Sequence, residues 1–483
     1  MSEVAETNLV ANLPASFQPL TWQKAMWLVL GAAACFHAAY TPAHPGPLAL
    51  FIVGYVVCVV QLARLRTTRQ SFYVGVLTGL LCFGPQLVFF WNIFGAAAIA
   101  LWLVLAFWLA LFVALAHLAL VRMGPKRSVW LLPFLWTGLE YFRSELYYLK
   151  FSWLNVGYAL HDSWFPVPFT ILGGYGCGFI VTWFGAAPGN KRIKKPIAVS
   201  FVVLVLIAML IDLPSTLPKP QLQIAGVQLE FPTAGEIEQA LDKIIVTRTN
   251  TDLIVLSEYT LDGEPTDALK DWCRANQKFL IVGGRDSSPG TNYYNTAFVI
   301  STNGEVVFQQ AKSVPIQFFK DGLPAPEQKV WESPWGKIGI CICYDLSYTR
   351  VTDELVRQGA QLLIVPTMDV ADWGRHQHEL HARVAPVRAA EYGIPIFRLA
   401  SSGISQGVTG RGLVRATAPF PGEGEMIFFG VNLNPQRHGS LPLDRWLAPL
   451  CVGVTGLFVL WLAVDGWGRT KNTALKSPQA KGN

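Results

Sequence analysis

Gly339-Ile340-Cys341-Ile342-Cys343-Tyr344-Asp345 is an apolar, isoleucine-rich run closed by a cysteine, an aromatic and a carboxylate. Residues 338–342 are short enough for an interior strand, and Tyr344 and Asp345 break the run where a strand would end. In α/β folds, ligand sites lie beyond the carboxyl ends of strands. A thiol there is held on a rigid element, and the next backbone N–H can face a substrate oxygen. Cys343 therefore reads as a nucleophile. Cys341, on the same predicted strand, has apolar neighbours on both sides and is the better core cysteine, free Cys being among the most buried residue types.

Outward from that run the chain alternates. Residues 222–228 open as a strand, 236–249 have helical period, and 252–256 form a buried strand. A helix over 267–276 and a strand over 279–283 follow, then paired strands 294–300 and 306–310 across Asn303-Gly304. Beyond the strand 338–344 come a helix over 351–359, a strand over 361–366, a helix over 376–392 and a strand over 394–400. The pattern predicts a layered α/β domain over 221–434. Glu258 follows one of these strands, Lys312 another and Cys343 a third. A thiol needs a base to become a thiolate, and a carboxylate with raised proton affinity can serve. A tetrahedral intermediate needs a fixed cation and N–H donors. The three side chains match those roles in kind, although spacing does not bring them together. His376, His378 and His381 have the spacing of a helical metal pair, but no carboxylate motif accompanies them, so they are assigned a structural role.

Composition describes the rest. Of 483 residues, 52% are hydrophobic and only 14% charged, against about a quarter charged in soluble domains. The apolar excess lies in 27–210 and 447–464. Stretches long enough to span a bilayer fall at 22–40, 47–65, 72–91, 93–121, 130–142 (the shortest), 165–184, 196–213 and 447–464, about eight spans in all. Segment 1–21 precedes a bundle at 22–213, and a basic tail follows at 465–483. Arg64, Arg66 and Arg69 follow the second span, Arg122, Lys126 and Arg127 the fourth, Lys191, Arg192, Lys194 and Lys195 the sixth, and Arg469, Lys471, Lys476 and Lys481 the eighth. Every cluster follows an even-numbered span, which places both termini in the cytoplasm and the α/β domain outside. The net charge of +6 thus reports topology and implies no nucleic acid. The eight cysteines form no disulfide or zinc pattern, and Glu3 and Glu6 without a basic region argue against a cleavable signal peptide. Glu140 and Arg143 sit at the outer end of the fifth span with Glu145, either as a structural ion pair or as a substrate contact.

The order Glu258, Lys312, Cys343 resembles the Glu-Lys-Cys triad of the nitrilase (carbon–nitrogen hydrolase) superfamily. The strand leading to Glu258 is similar to its first motif, and Ile342-Cys343-Tyr344-Asp345 to its third; Arg388-Ala389-Ala390-Glu391 and Ser402-Gly403-Ile404-Ser405 also fit. With the spans, and with Leu135-Trp136, Glu140, Arg143, Gly157-Tyr158 and Gly173-Gly174-Tyr175-Gly176, nearly the whole chain resembles the apolipoprotein N-acyltransferase family. The resemblance implies an αββα sandwich over a transmembrane bundle, in a bacterial inner membrane with the sandwich on the periplasmic side. It implies transfer of an acyl chain from a phospholipid to the N-terminal amine of a diacylated lipoprotein cysteine, through a thioester on Cys343. Glu258 would be the base, Lys312 and the Tyr344 N–H the oxyanion donors, and Asp345 a support. No metal or cofactor is expected, membrane lipids surround the chain, and the expected state is a monomer.

Several positions depart from the family pattern. Ser257 stands for the usual Pro, Gln310 for an aromatic, and Asp345 for Glu. The family's second glutamate aligns with Phe318, so Asp321 or Glu327 substitutes for it or the role is lost. Ile316, Phe318 and Phe319, with Trp331 and Trp335 beyond, suggest a lipid-facing lid or packing on the domain's own sheet. The competing assignments are a membrane-anchored amidase, with water as acceptor and a small or lipidic amide as substrate, and a non-catalytic scaffold.

Overall fold

Two helices of the membrane half begin where a hydroxyl satisfies a free backbone N–H. The computed structural model describes residues 18–41, 46–161, 168–187, 221–288, 290–433 and 439–475, with isolated residues between 195 and 206. Thr21 accepts from the Lys24 N–H at the start of α1 (Trp22–Ala39), and Thr67 from the Gln70 N–H at the start of α3 (Thr68–Gln86). Between them lies α2 (Phe51–Leu62); then come α4 (Phe89–Phe94), α5 (Ala97–Met123), α6 (Pro125–Tyr141) and α7 (Phe169–Ala186).

The second half is two six-stranded sheets. One runs β12-β1-β2-β3-β4-β5, with β1 (Leu222–Val227), β2 (Leu253–Val255), β3 (Phe279–Asp286), β4 (Tyr294–Ile300), β5 (Val306–Ala311) and β12 (Met426–Val431). The other runs β11-β10-β9-β8-β7-β6, with β6 (Val330–Ser333), β7 (Gly336–Ile340), β8 (Leu362–Thr367), β9 (Ile396–Ala400), β10 (Ser405–Val408) and β11 (Val414–Ala418). The central strands β1-β2-β3 and β7-β8-β9 pair in parallel, as strand–helix–strand crossovers require. Alternation sorts the side chains. Ile281, Ala297 and Val299 face Ile338, Ile340 and Ile364 between the sheets, while Leu280, Val282, Phe298 and Ile300 face outward.

Helices α8 (Ala234–Thr247) and α9 (Asp267–Asn276) cover that outer face of the first sheet through Ile237, Leu241, Ile244, Leu269 and Cys273. A capping box between Thr233 and Glu236 starts α8. On the second sheet lie α10 (Thr349–Arg357), α11 (Arg375–Ala382) and α12 (Val384–Tyr392); the helix expected over 376–392 is thus two. Their apolar cluster is continuous with that of the membrane bundle: Leu355, Leu380 and Val387 belong to the same buried group as Trp153, Leu172 and Cys177. The chain closes with α13 (Asp444–Leu475).

Among the described residues, three helices are long and apolar enough to cross a membrane: α5, α7 and the Asp444–Gly466 part of α13. The expected spans 22–40, 72–91 and 130–142 coincide with α1, with α3 and α4, and with α6; 47–65 holds the shorter apolar segment Pro47–Leu62. The span expected at 196–213 lies largely outside the described residues, as do most of segment 1–21 and the end of the basic tail.

A buried charge cluster joins the halves. α7 breaks at Gly173, whose φ of 71° suits glycine and where a Cβ would strike the Asp444 carboxylate. The break frees two N–H groups: Gly174 donates to Glu391 (2.6 Å) and Tyr175 to Asp444 (3.0 Å). Arg445 bonds Asp353 (2.8 Å), Asp444 (2.7 Å) and Glu391 (3.0 Å), and Arg388 bonds Glu391 (2.5 Å). Glu145, from the membrane side, accepts from the Thr349 N–H that opens α10 (3.2 Å) and from the Tyr175 hydroxyl (3.1 Å). Buried ions are tolerated only when paired in this way.

Candidate active site

The strand β7 ends at Ile340, earlier than expected, and this decides where two cysteines point. Cys341 lies in the outer cluster shared with the bundle, whereas Ile342 and Cys343 lie between the sheets. Strict alternation would have put Cys343 on the face of Cys341. Instead Cys343 takes the left-handed conformation, φ 51°, at the head of a short 3₁₀ turn. For a side-chain-bearing residue this costs about 1–2 kcal/mol, and such strain gathers at functional sites.

Across the gap, Glu258 follows β2, and Tyr259 after it is also left-handed, φ 54°. β3 presses against this turn at Gly283, where a Cβ would lie 2.6 Å from the Glu258 Cα. Ser257 donates to the Leu229 carbonyl (3.2 Å) and so ties down the turn in place of the family's proline. Lys312 follows β5 and is completely buried. Its ammonium bonds Glu258 Oε1 (2.8 Å) and Asp321 Oδ2 (2.7 Å). Asn295 of β4 donates to both carboxylates, at 2.6 and 2.9 Å. Met368, just past β8, completes the ring: its N–H donates to Glu258 Oε2 (2.8 Å) and its carbonyl accepts from the Cys343 thiol (3.7 Å).

The electrostatics divide the two carboxylates. Burial would raise Asp321, but the Lys312 ammonium outweighs it; with the Asn295, Tyr259 and Ile316 donors (2.8–2.9 Å) it holds this carboxyl below the ordinary range. Glu258 has fewer donors, and burial raises it despite Lys312. Burial pulls Lys312 down, yet Glu258 and Asp321 together hold it well above the usual lysine range. Burial, then the Glu258 charge, pushes the Cys343 thiol well up. At rest the site therefore holds a neutral thiol, a charged lysine, a fixed carboxylate and a second carboxylate able to take a proton, the pattern that separates acid–base partners.

Asp345 is a brace. Its carboxylate accepts from the N–H groups of Ser313 (3.0 Å), Val314 (2.7 Å) and Ile342 (3.2 Å), clamping the segment after Lys312 to the cysteine turn. Burial nevertheless raises it to about 6. The Tyr344 hydroxyl donates to the Lys150 carbonyl (2.9 Å). Of the two candidate substitutes for the missing glutamate, Asp321 is buried on the Lys312 ammonium (2.7 Å), while Glu327 is exposed and pairs with Lys329 (2.5 Å). Gln310, replacing an aromatic, pins the 327–329 segment through the Glu327 carbonyl (3.0 Å) and the Lys329 N–H (2.9 Å).

Below the cysteine is a network that sequence spacing did not reveal. Asp369 accepts from Arg398, from His381 (2.8 Å) and from Gln377 (3.3 Å). Burial would raise its carboxyl, but His381 and Arg398 hold it well below the usual range. His378 is buried against Phe420, its ring 4.3 Å away, and its Nδ1 is 3.8 Å from Asp369. His376 bonds Gln86 of α3 (2.8 Å). Among the described residues no group of metal-ligating side chains converges.

The membrane half supplies one wall. Trp153 stacks on His381 at 4.6 Å, donates to Ser347 (3.0 Å) and meets Tyr344 edge-on at 5.8 Å. Glu140 and Arg143 are not bonded to each other here. Glu140 accepts from the Val156 N–H (3.1 Å), and Arg143 donates to the Phe151 carbonyl (2.9 Å) and to Asn155 (2.7 Å), so both shape the loop carrying Trp153. An apolar cavity opens beside Trp153 and Tyr344, between α4, α5 and the segment Ile316–Phe319. Phe318 is 69% exposed and meets Phe94 of α4 at 6.0 Å; Phe319 meets Phe94 at 5.8 Å and Trp373 at 6.2 Å. Trp331 and Trp335 are not part of this wall: they pack on Phe279 between the sheets, at 5.7 and 5.2 Å.

Comparison with known proteins follows the same division. The Apolipoprotein N-acyltransferase N-terminal domain family matches residues 32–187, and the Carbon-nitrogen hydrolase family matches 230–419. The chain is 25% identical to the Apolipoprotein N-acyltransferase of Geobacter metallireducens, over 73% of this chain and 80% of that protein. It is 29% identical to the Formamidase of Bacillus thuringiensis, over 27% of this chain and 47% of that protein. A carbon–nitrogen hydrolase from Helicobacter pylori G27 is similar in structure at a TM-score of 0.39 and 18% identity, over 44% of this chain and 89% of that one.

Proposed function

We infer from the premise that this chain belongs to the apolipoprotein N-acyltransferase family, in the nitrilase superfamily, that it transfers a fatty acyl chain from a phospholipid to the N-terminal α-amine of a diacylated lipoprotein, with Cys343 as nucleophile. The observation that carries the roles is that Met368 links base and nucleophile, its N–H on Glu258 and its carbonyl on the Cys343 thiol, while Lys312 and Asn295 hold the Glu258 carboxylate.

Glu258 takes the thiol proton, and the thiolate attacks the ester carbonyl of the phospholipid. Among the described residues the Lys312 ammonium bonds Glu258 and Asp321; of its three N–H groups one remains for the oxyanion, joined by the Tyr344 N–H. As the C–O bond breaks, protonated Glu258 returns its proton to the departing lysophospholipid alkoxide, leaving a thioester. The lipoprotein amine attacks that thioester. Glu258 removes the amine proton, the C–S bond breaks, and the thiolate recovers the proton. The apolar cavity supports the choice of a lipid donor, and the fusion of bundle and sandwich argues against a small soluble amide. The basic clusters support about eight spans, cytoplasmic termini and a periplasmic sandwich in the inner membrane, and the chain is taken to act as a monomer.

The test is peptide mass after incubation with phospholipid vesicles. We expect a fatty-acyl adduct on the Cys343 peptide that hydroxylamine releases, absent from Cys343→Ala and retained in Cys341→Ala. An intact phospholipid pool with no adduct, or an adduct on another cysteine, would refute the assignment.

A further inference from the structure

Ser402-Gly403-Ile404-Ser405 and the residues just after β1 lie outside the Glu258–Lys312–Cys343 constellation, yet both reach the turn that carries Met368. That turn leaves β8 and enters a short 3₁₀ turn, Ala371–Trp373, closed by the Gly374 N–H on the Ala371 carbonyl (3.1 Å). At one end Met368 touches Glu258 and the Cys343 thiol; at the other, Trp373 lines the apolar cavity and meets Phe319. Its middle is fixed at Asp369, whose N–H donates to Ser401 (3.1 Å) and whose carboxylate takes Arg398 and His381. Beyond Asp369, Glu230 takes hold. Its Oε2 accepts from the Ala371 N–H (2.8 Å), the first amide of the 3₁₀ turn, and from the Ser402 hydroxyl.

Glu230 belongs to a segment that also holds the base. The Leu229 carbonyl accepts from Ser257 (3.2 Å), the residue before Glu258, and the Gln228 amide donates to the Gly403 carbonyl. Three consecutive residues therefore grip the base turn, the Met368 turn and the segment 402–405. Gly403 is required there, because a Cβ would lie 2.6 Å from Asp369 Oδ2. Phe231, next along, is left-handed, φ 48°, and 63% exposed. Strain of this kind persists only where the surroundings hold the backbone, and the bonds of residues 228–230 do so. A carboxylate suits the two donors that converge on Glu230, since a charged acceptor makes such bonds shorter and stronger than a neutral one.

We propose that Glu230 is a positioning residue for the acyl transfer: by holding the Ala371 N–H it sets the Met368 N–H on Glu258 and the Met368 carbonyl on Cys343. This rests on the acyl-transfer function inferred above and adds a residue that acts through the turn and not on the reacting atoms. The consequence has a sign. A hydrogen bond to the ionised Glu258 carboxylate favours that form. When the turn loosens, the Met368 donor is lost and Glu258 keeps its proton to higher pH. The acid limb of thiol activation then moves up. A change that only destabilises the fold lowers the amount of working protein and leaves the limb where it was.

The experiment uses the full chain in dodecyl maltoside micelles. Cys343 acylation from dipalmitoyl phosphatidylethanolamine and Cys343 alkylation by iodoacetamide are each read by peptide mass across pH, the second without any acyl donor. In Glu230→Ala the acid limb of both rates should move up by roughly one pH unit, and the acylation plateau should fall on the order of tenfold. Glu230→Gln keeps a carbonyl acceptor for the Ala371 N–H and should hold both near the wild type. Glu423→Gln, exposed in the same surface cleft as Glu230, should change neither. A wild-type limb in Glu230→Ala, with or without a lower plateau, overturns the positioning role. So does a Glu230→Gln variant as impaired as Glu230→Ala. If the alkylation limb moves as expected while wild-type Cys343 takes no acyl group from the phospholipid, the acyl-transfer function is refuted and the positioning of Glu258 and Cys343 by Glu230 stands.

Discussion

Replacing Asp321 by Asn tests the division of labour between the two carboxylates. The Asp321 carboxylate and that of Glu258 are held by one buried ammonium, at 2.7 and 2.8 Å. The amide cannot act as counter-ion, and its NH₂ faces donors in either orientation: the Lys312 ammonium and Ile316 N–H, which share Oδ2, or the Tyr259 hydroxyl and Asn295 NH₂, which share Oδ1. Removing one partner of a buried ion pair costs about 3–5 kcal/mol. If about 3 kcal/mol of this falls on the geometry needed for attack, acylation slows on the order of a hundredfold. The pH profile carries the diagnostic sign. Glu258 must be ionised to act as base, and burial and the Asp321 charge both raise its proton affinity. Without Asp321, Lys312 acts on Glu258 alone, so the acid limb of the acylation rate moves to lower pH while the plateau falls. Single-turnover acylation from phospholipid, followed by mass across pH, measures both. Glu327→Gln, at an exposed position, should change neither. An unshifted acid limb with an unchanged plateau in Asp321→Asn would remove Asp321 from the catalytic charge balance.

Trp153→Ala should lower thermal stability by about 3–5 kcal/mol and slow acylation, because it removes the stack on His381 and the bond to Ser347 together; a full-rate, fully stable variant would show that the wall is dispensable. Val246 is 81% exposed on α8, so a single cysteine there, in a background lacking the two partly exposed native thiols Cys35 and Cys58, should react with an impermeant maleimide added to spheroplasts. Labelling only after lysis would reverse the topology inferred from the basic clusters.

The layers of the catalytic domain were legible because strand alternation and helical period are local properties. Glu258, Lys312 and Cys343 could be nominated because each follows a strand. What remained hidden depends on conformation or on contacts between distant segments. Nothing in the local residues announces that Cys343 and Tyr259 adopt left-handed backbone, yet that conformation turns Cys343 away from the face of Cys341. Asp321, one of two substitutes considered, is distinguished from Glu327 only by burial beside Lys312. The burial of Trp331 against Phe279 is likewise set by sheet pairing and not by aromatic content. Glu145 and Trp153 carry no motif for docking; their role follows from the surface that α10 and α11 bring to them.

The continuous apolar cluster has a consequence for how the protein can be taken apart. In a free-standing αββα sandwich both outer helix layers face water. Here the layer formed by α10, α11 and α12 is roofed by the membrane helices, and its charges, Arg388, Glu391 and Asp353, are matched by groups that include Glu145, Gly174 and Arg445 on the other side of the seam. Excising residues 221–433 would leave a greasy surface with orphaned ions. The sandwich and the bundle therefore behave as one assembly unit, and a water-soluble version would need that face redesigned, not merely cut free.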